Sequence, residues 1–245
     1  MLSIVTVSHG HNDMVSDLIS SLVKFSSPED FEFILIDNLN SSFFTDELLL
    51  SLGVVNFKLV KNIAPFSFSI NNNIGVSLAS HEHIAIINPD IQLIDNSMFE
   101  FFKKEAPLPK GLFYPSLLNP DLTYQVHGKA KPSLINQAKT TIFSLFGAKS
   151  ESPKGSYWYF GAAILLNKSF FYEIGGFDIR FPMYAEDTEL CDRVRKQGNK
   201  IELLEDCRLV HGLGGDSKGK YLFKAVISNL YLRYKMYKNV DSFKE

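Results

Sequence analysis

Two adjacent carboxylates, Glu186 and Asp187, follow the aromatic segment Phe181-Pro182-Met183-Tyr184-Ala185. They open a helix pattern with Leu190 and Val194 on one face and Gly198 as its stop. Negative charge is favoured at a helix start, so the pair suits either an ordinary cap or an ionised proton acceptor. Asp90 closes Asn88-Pro89-Asp90, directly after the apolar run Ile84–Ile87. A carboxylate at a strand end, open to a cleft, suits Mg²⁺ or Mn²⁺ with phosphate oxygens on its far side; the same three residues are also turn formers. Asp37-Asn38 stands in a similar place after Phe31–Ile36. His211, before the glycine-rich stretch Gly212, Gly214 and Gly215, is either a metal ligand or a satisfied loop histidine. His9 and His11 have no partner assignable from sequence.

The segments between these residues alternate. Leu2–Val7, Phe31–Ile36, Val54–Val60 and Ile84–Ile87 read as buried strands. Helix patterns separate them: one capped by Asn12 or Asp13 and carrying Val15, Leu18, Ile19 and Leu22, one closing at Leu48–Leu52, and one opened by Asn71-Asn72-Asn73. Such alternation predicts an α/β fold, with a mostly parallel central sheet and helices on both faces. Ligands in these sheets bind beyond the carboxyl ends of the strands, where His9, Asp37 and Asp90 all fall. Prolines break up the stretch from Pro107 to Gly155, in which only Ser133–Phe146 suggests a helix and Gly147–Ser156 reads as a loop. Tyr157–Leu166 reads as one apolar strand, and Ile201–Leu204 and Arg208–His211 as two short ones. Lys218, Lys220, Lys224, Arg233, Lys235 and Lys238 interleave with apolar residues on a helical pattern from Ser217 to Val240, which holds no acidic residue.

The bulk properties narrow the function. A 245-residue chain with 45% hydrophobic residues can build one large core, and a net charge of −2 gives no support for nucleic-acid binding. Two cysteines, Cys191 and Cys207, are too few for a disulfide framework or a zinc site, which points to a reducing cytoplasm. The apolar opening stops at Ser8-His9-Gly10, too short for a signal peptide, and no run reaches bilayer-spanning length. The chain is expected in the cytoplasm or on a membrane surface, with the basic C-terminal helix as the contact with the inner face of the cell membrane.

Together these residues resemble the inverting glycosyltransferases of family 2, which have a GT-A fold, from Leu2 to about Tyr234. Within that family the chain looks most like the rhamnosyltransferases of bacterial O-antigen assembly. Ile4-Val5-Thr6-Val7-Ser8-His9-Gly10-His11 is similar to that subgroup's opening strand and loop. Asp37-Asn38 matches the family's strand-end pair, and Phe68, Asn71-Asn72-Asn73 and Gly75 match the segment lining the nucleotide-sugar pocket, with Ser67 where a glycine is usual. Asn88-Pro89-Asp90 stands at the metal-binding motif. Gly175-Gly176-Phe177-Asp178 and Phe181–Leu190 match the acceptor-side block, with Glu189 where a second aspartate is usual.

The resemblance implies that Ser8, Asp37, Asn38, Asn72, Asn73 and Asn88 line the nucleotide-sugar site. Asp90 would hold Mg²⁺ or Mn²⁺ and His211 would contact that metal or the diphosphate; Asp187 would be the catalytic base and Glu186 its helper. It implies one catalytic domain over 1–215, divided into a nucleotide-sugar half (1–95) and an acceptor half (96–215), and a basic amphipathic helix in 216–245. The implied donor is dTDP-rhamnose and the implied acceptor a polyprenyl-diphosphate-linked saccharide. A UDP-sugar donor and a catalytically silent sugar-nucleotide-binding homologue stay open as alternatives. A sugar nucleotidyltransferase fits less well, since Ser8–Asp13 holds one glycine and no lysine or arginine.

Overall fold

The computed structural model describes residues 1–132, 156–181, 183–212 and 222–238. One eight-stranded sheet runs through both halves of the chain in the order β3-β2-β1-β4-β9-β6-β10-β5. Its strands are β1 (Leu2–Ser8), β2 (Phe31–Asp37), β3 (Phe57–Lys61), β4 (His83–Ile87), β5 (Ile91–Leu93), β6 (Gly111–Leu118), β9 (Ala163–Asn167) and β10 (Lys200–His211). A separate short ribbon pairs β7 (Gly128–Lys129) with β8 (Trp158–Tyr159). Only β9 and β5 run against the other strands of the large sheet.

Alternate residues of the strands feed two cores, one on each face, which explains their near-continuous apolar sequences. Ile4, Phe33 and Leu35 point to the face covered by α1 (Asn12–Phe25), α2 (Asp46–Ser51) and α4 (Ser97–Lys104). Val5, Ile34 and Ile36 point to the face covered by α3 (Phe68–Leu78), α5 (Lys168–Glu173) and α6 (Glu186–Lys196). Each face buries aliphatic and aromatic side chains completely, at roughly 1.5–3 kcal/mol apiece. The close approach of α3 to β1 needs Gly75, where a Cβ would lie 2.3 Å from Val5 Cγ1.

Several elements depart from the sequence expectation for identifiable reasons. α1 begins at Asn12 with His11 in the cap position, so neither Asn12 nor Asp13 caps it. α3 begins at Phe68 because the Ser67 hydroxyl accepts from Ile70 N–H, which carries Asn71-Asn72-Asn73 into the body of the helix. β6 is a buried eight-residue strand in the supposedly irregular middle. Its proline is tolerated because Pro115 pairs with Leu204 at the edge of a bulge, after which the register resumes at Arg208–Ser116. That bulge, Glu205-Asp206-Cys207, lies inside the single strand β10 and makes it read as two. Tyr157–Leu166 is broken the other way, into β8 and β9 with a turn at Phe160–Ala162. The helix expected at Ser133–Phe146, the Gly147–Ser156 loop up to Gly155, and Gly214 and Gly215 lie outside the described residues.

The C-terminal helix α7 (Leu222–Lys238) packs back on the domain, with Leu232 joining Phe181 and Ala185 in a third small core. Lys235 is buried there, 2.7 Å from Asp178 and 2.5 Å from Glu189. Glu189 also takes a bidentate pair from Arg193, and Asp178 one from Arg180. Burial opposes ionisation of Asp178, but the Arg180 and Lys235 cations outweigh it and hold the carboxyl down at about 2.

Candidate active site

The carboxyl ends of β1, β2, β4, β6 and β10 share one edge of the sheet, and the start of the reversed strand β9 joins them there. Asp90 leaves this edge after β4. The antiparallel pairing of His211 with Ile91 sets the histidine beside it, with Nε2 3.3 Å from Asp90 Oδ2. Gly212 N–H closes onto the Asp90 carbonyl at 2.7 Å. On the other side of the ring, His211 Nδ1 lies 2.7 Å from Gln125 Oε1. An amide oxygen only accepts, so Nδ1 donates to Gln125 and Nε2 is the ring atom that faces the carboxylate. Nε2 and a carboxylate oxygen at that distance call for a cation or a proton between them. Asp90 and His211 therefore fit a hard divalent ion that also takes phosphate oxygens. No group of three or more His, Cys, Asp or Glu side chains suited to a metal occurs among the described residues, so two protein ligands would leave the remaining positions to substrate and water.

The second carboxylate site stands at the start of α6. Tyr184 and Ala185 both adopt left-handed backbone, at φ 66° and 69°, unusual for consecutive residues with side chains. The reversal drops Glu186 and Asp187 into the first turn of the helix. Asp187 accepts from Thr188 N–H (2.6 Å) and Thr188 hydroxyl (3.2 Å) on one oxygen, and from Gly161 N–H (3.2 Å) on the other. Glu186 is buried, and its Oε2 has no hydrogen-bond partner among the described residues. Burial, then the charge of Asp187, push the Glu186 carboxyl up to about 8; burial also raises Asp187, against the pull of its donors. The carboxylate with three donors keeps the charge, and Glu186, with one oxygen left unpartnered, holds the proton. Asp187 is thus the member able to act as a base.

Main-chain bonds join the two sites. Asn88 N–H donates to Ala162 O at 2.8 Å, and the next residue back, Gly161, holds Asp187. A Cβ on Gly161 would lie 3.3 Å from Asp187 Cβ, so the approach suits glycine. Phe160 N–H donates to the carbonyl of His127, a buried histidine whose Nδ1 bonds Gln125 O; burial lowers its pKa, leaving the ring neutral.

The residues expected around the nucleotide sit differently. Asp37, 1% exposed, accepts from Leu39 N–H, Ser41 N–H and Ser41 hydroxyl, and so shapes its own turn. Asn38 is buried and bonded to His9, Asn62 and both backbone groups of Phe66. Asn72 bonds Phe68 O within its helix, and Ser8 accepts from His11 N–H. Asn73 clasps Phe177, donating to its carbonyl and accepting from its N–H, both at 2.9 Å. Ser8, Asp37, Asn38, Asn72 and Asn73, expected to line the nucleotide-sugar site, thus each make hydrogen bonds inside the protein that brace the loops around the cleft. Asn88, half-buried in the turn before Asp90, remains beside the site.

Asn62, Asn71, Gln125 and His127 were not among the expected site residues. Asn62 bonds both Asn38 and Asn71, 24 and 9 positions away, a link that no local pattern announces. Asn71 belongs to the singled-out asparagine triplet, and that was its only signal.

No family profile matches the chain. Three curated proteins are similar in sequence. The O-antigen biosynthesis protein RfbC of Myxococcus xanthus is 27% identical over 86% of this chain and 17% of its own length. The rhamnosyltransferase WbbL of Escherichia coli (strain K12) is 25% identical over 89% of this chain and 86% of its own. The N-acetylglucosaminyl-diphospho-decaprenol L-rhamnosyltransferase of Mycobacterium tuberculosis is 29% identical over 47% of this chain and 42% of its own. The chain thus spans a small part of the first, most of the second and under half of the third. Among solved structures, GalNAc-T7 with UDP, GalNAc and Mn²⁺ superposes with a TM-score of 0.72 at 17% identity, covering 96% of this chain and 48% of that one. The mannosyltransferase PcManGT from Pyrobaculum calidifontis, with GDP-Man and Mn²⁺, gives 0.67 at 11% identity, covering 98% and 65%. Fold and sequence likeness agree: the chain has the GT-A fold of glycosyltransferases and is similar in sequence to an O-antigen biosynthesis protein and to rhamnosyltransferases.

Proposed function

We propose that the chain transfers a sugar, rhamnose in the first instance, with inversion from a nucleotide-diphosphate donor to a lipid-linked saccharide. The observation that carries this reading is the pairing of a cation-suited site, Asp90 with His211, and an ionised, half-buried carboxylate, Asp187, across one short main-chain bridge. Asp187 takes the proton of an acceptor hydroxyl as that oxygen forms its bond to the anomeric carbon. The bond from that carbon to the diphosphate breaks on the opposite face, and the nucleoside diphosphate leaves with the electron pair. A bound Mg²⁺ or Mn²⁺ supplies Lewis-acid stabilisation of the developing phosphate charge. Asp90 and His211 hold that ion, and Glu186, kept neutral, leaves Asp187 the single negative charge at the acceptor side.

The sequence resemblance implies dTDP-rhamnose as the donor to try, and the name of the Mycobacterium tuberculosis relative supports a polyprenyl-diphosphate saccharide as the acceptor. The test is transfer from dTDP-rhamnose to a short-chain polyprenyl-diphosphate-N-acetylglucosamine, with UDP- and GDP-sugars in parallel and with EDTA in one arm. Transfer that survives EDTA removes the cation from the reading. Turnover of a UDP- or GDP-sugar alone redirects it to another donor.

Membrane contact through α7 belongs to the same proposal. No helix among the described residues is long and apolar enough to cross a membrane. Lys235 is engaged inside the domain, which leaves Val226, Ile227, Leu230 and Tyr234 as an exposed apolar strip on α7. Sedimentation with phosphatidylglycerol vesicles should drop when Val226 and Leu230 are changed together to Asp. Unchanged sedimentation would rule out α7 as the contact.

A further inference from the structure

Gln125 lies in the stretch that follows β6, at the far side of His211 from Asp90. Its amide orientation is fixed by a directed chain of hydrogen bonds that begins at an acceptor-only group. The Asp121 carboxylate takes the hydroxyl proton of Thr123 (2.6 Å), so Thr123 Oγ1 accepts from Asn119 Nδ2 (2.9 Å). Asn119 Oδ1 then accepts from Gln125 Nε2 (3.2 Å), which leaves Gln125 Oε1 to accept from His211 Nδ1 (2.7 Å). Backbone bonds pin the same stretch: Asn119 N–H to Thr123 O, Leu122 N–H to Asn119 O and Gln125 N–H to Leu117 O, each 2.8 Å. Every link has one permitted direction, and the last one decides which ring nitrogen of His211 carries the proton.

We propose that Gln125, oriented by the Asn119–Thr123 turn, is a positioning residue that fixes the His211 tautomer and aims its Nε2 lone pair at a divalent cation shared with Asp90. This inference rests on the metal reading above. An outer-shell partner of a ligating histidine fixes ring orientation, and its loss typically weakens metal binding about 10- to 100-fold. Gln125 therefore gives a role to the turn after β6, a segment whose sequence shows only punctuation.

The test uses the whole chain, Mn²⁺ alone as the probe, and Gln125→Leu, Gln125→Glu, Asp90→Ala and His211→Ala variants. Mn²⁺ binding is read from loss of the free-ion electron paramagnetic resonance signal. The His211 tautomer is read separately by ¹⁵N–¹H correlation spectra of the metal-free protein, with His211→Ala giving the assignment. Gln125→Leu, close in size but unable to accept, is expected to weaken Mn²⁺ binding about 10- to 100-fold and to mix the tautomers. Gln125→Glu keeps an acceptor facing Nδ1 and should restore both readouts. Wild-type affinity and a single tautomer in Gln125→Leu would overturn the inference, as would a Gln125→Glu variant as weak as Gln125→Leu. If Asp90→Ala and His211→Ala also bind Mn²⁺ normally, the metal reading itself falls.

Discussion

Asp90 and Asp187 are both carboxylates at the end of a secondary-structure element on one edge of the sheet, yet their surroundings prepare them for different partners. Asp90 sits on a stiff strand-end turn and meets the Nε2 edge of an imidazole, an arrangement suited to a positive ion. Asp187 sits at a helix start behind two left-handed residues, and main-chain N–H groups with one hydroxyl hold it in a buried setting that raises its pKa. The first environment concentrates negative potential; the second makes a carboxylate more willing to accept a proton. Identity of residue type thus says little about role, whereas the partners of each oxygen say most of it.

The sharpest way to break this comparison is to neutralise each carboxylate in turn. Asp187→Asn should lower kcat about 10²–10⁴-fold while Mn²⁺ affinity stays at the wild-type value. Asp90→Ala should do the reverse in order of severity, with Mn²⁺ binding lost first and residual transfer partly recovered at high Mn²⁺. Isothermal titration beside steady-state kinetics reads both, and variants that fail in the same way would erase the distinction.

A smaller effect concerns the scaffold under Asp187. Lys235→Met removes the cation that ties α7 to Asp178 and Glu189, but Arg180 and Arg193 still partner those carboxylates. The loss should therefore fall short of a fully broken buried pair, at about 2 kcal/mol in urea denaturation. No measurable change would mean that α7 is not held by this network.

The subtlest prediction concerns Glu186. Its carboxyl lies at about 8 when folded against an ordinary value of 4.5, so the folded chain binds more protons than the unfolded one between those limits. Stability from this group is present at low pH and is lost as pH rises through that window. Glu186→Gln should melt like wild type near pH 5 and above it at pH 8.5. An equal offset at both values would show that Glu186 does not titrate there.

Much of the scaffold was legible in the chain because burial on both faces writes uninterrupted apolar runs, as in β1, β2 and β4. β6 escaped because Pro115 reads as a breaker unless the bulge opposite it is known, and that bulge lies some ninety residues downstream. The break at Gly161 escaped because Tyr157–Leu166 is otherwise apolar and a single glycine is its only mark. The chemistry followed a similar divide. Asp90, Asp187 and His211 stand at element boundaries and announce themselves by position. Gln125 and Asn62 bond partners distant in sequence, and Asn73 shows its clasp on Phe177 only once the two segments are folded together.

The bridge between the two carboxylate sites is made of backbone at Asn88, Ala162 and Gly161. Backbone atoms are common to every residue, so this link is largely indifferent to the side chains that decorate it. Phe160, half-buried beside Gly161, is expected to change without altering the spacing of Asp187 and Asp90, whereas a side chain at Gly161 would press on Asp187 Cβ at 3.3 Å. Such a bridge lets the side chains around it vary while Asp90 and Asp187 keep their spacing.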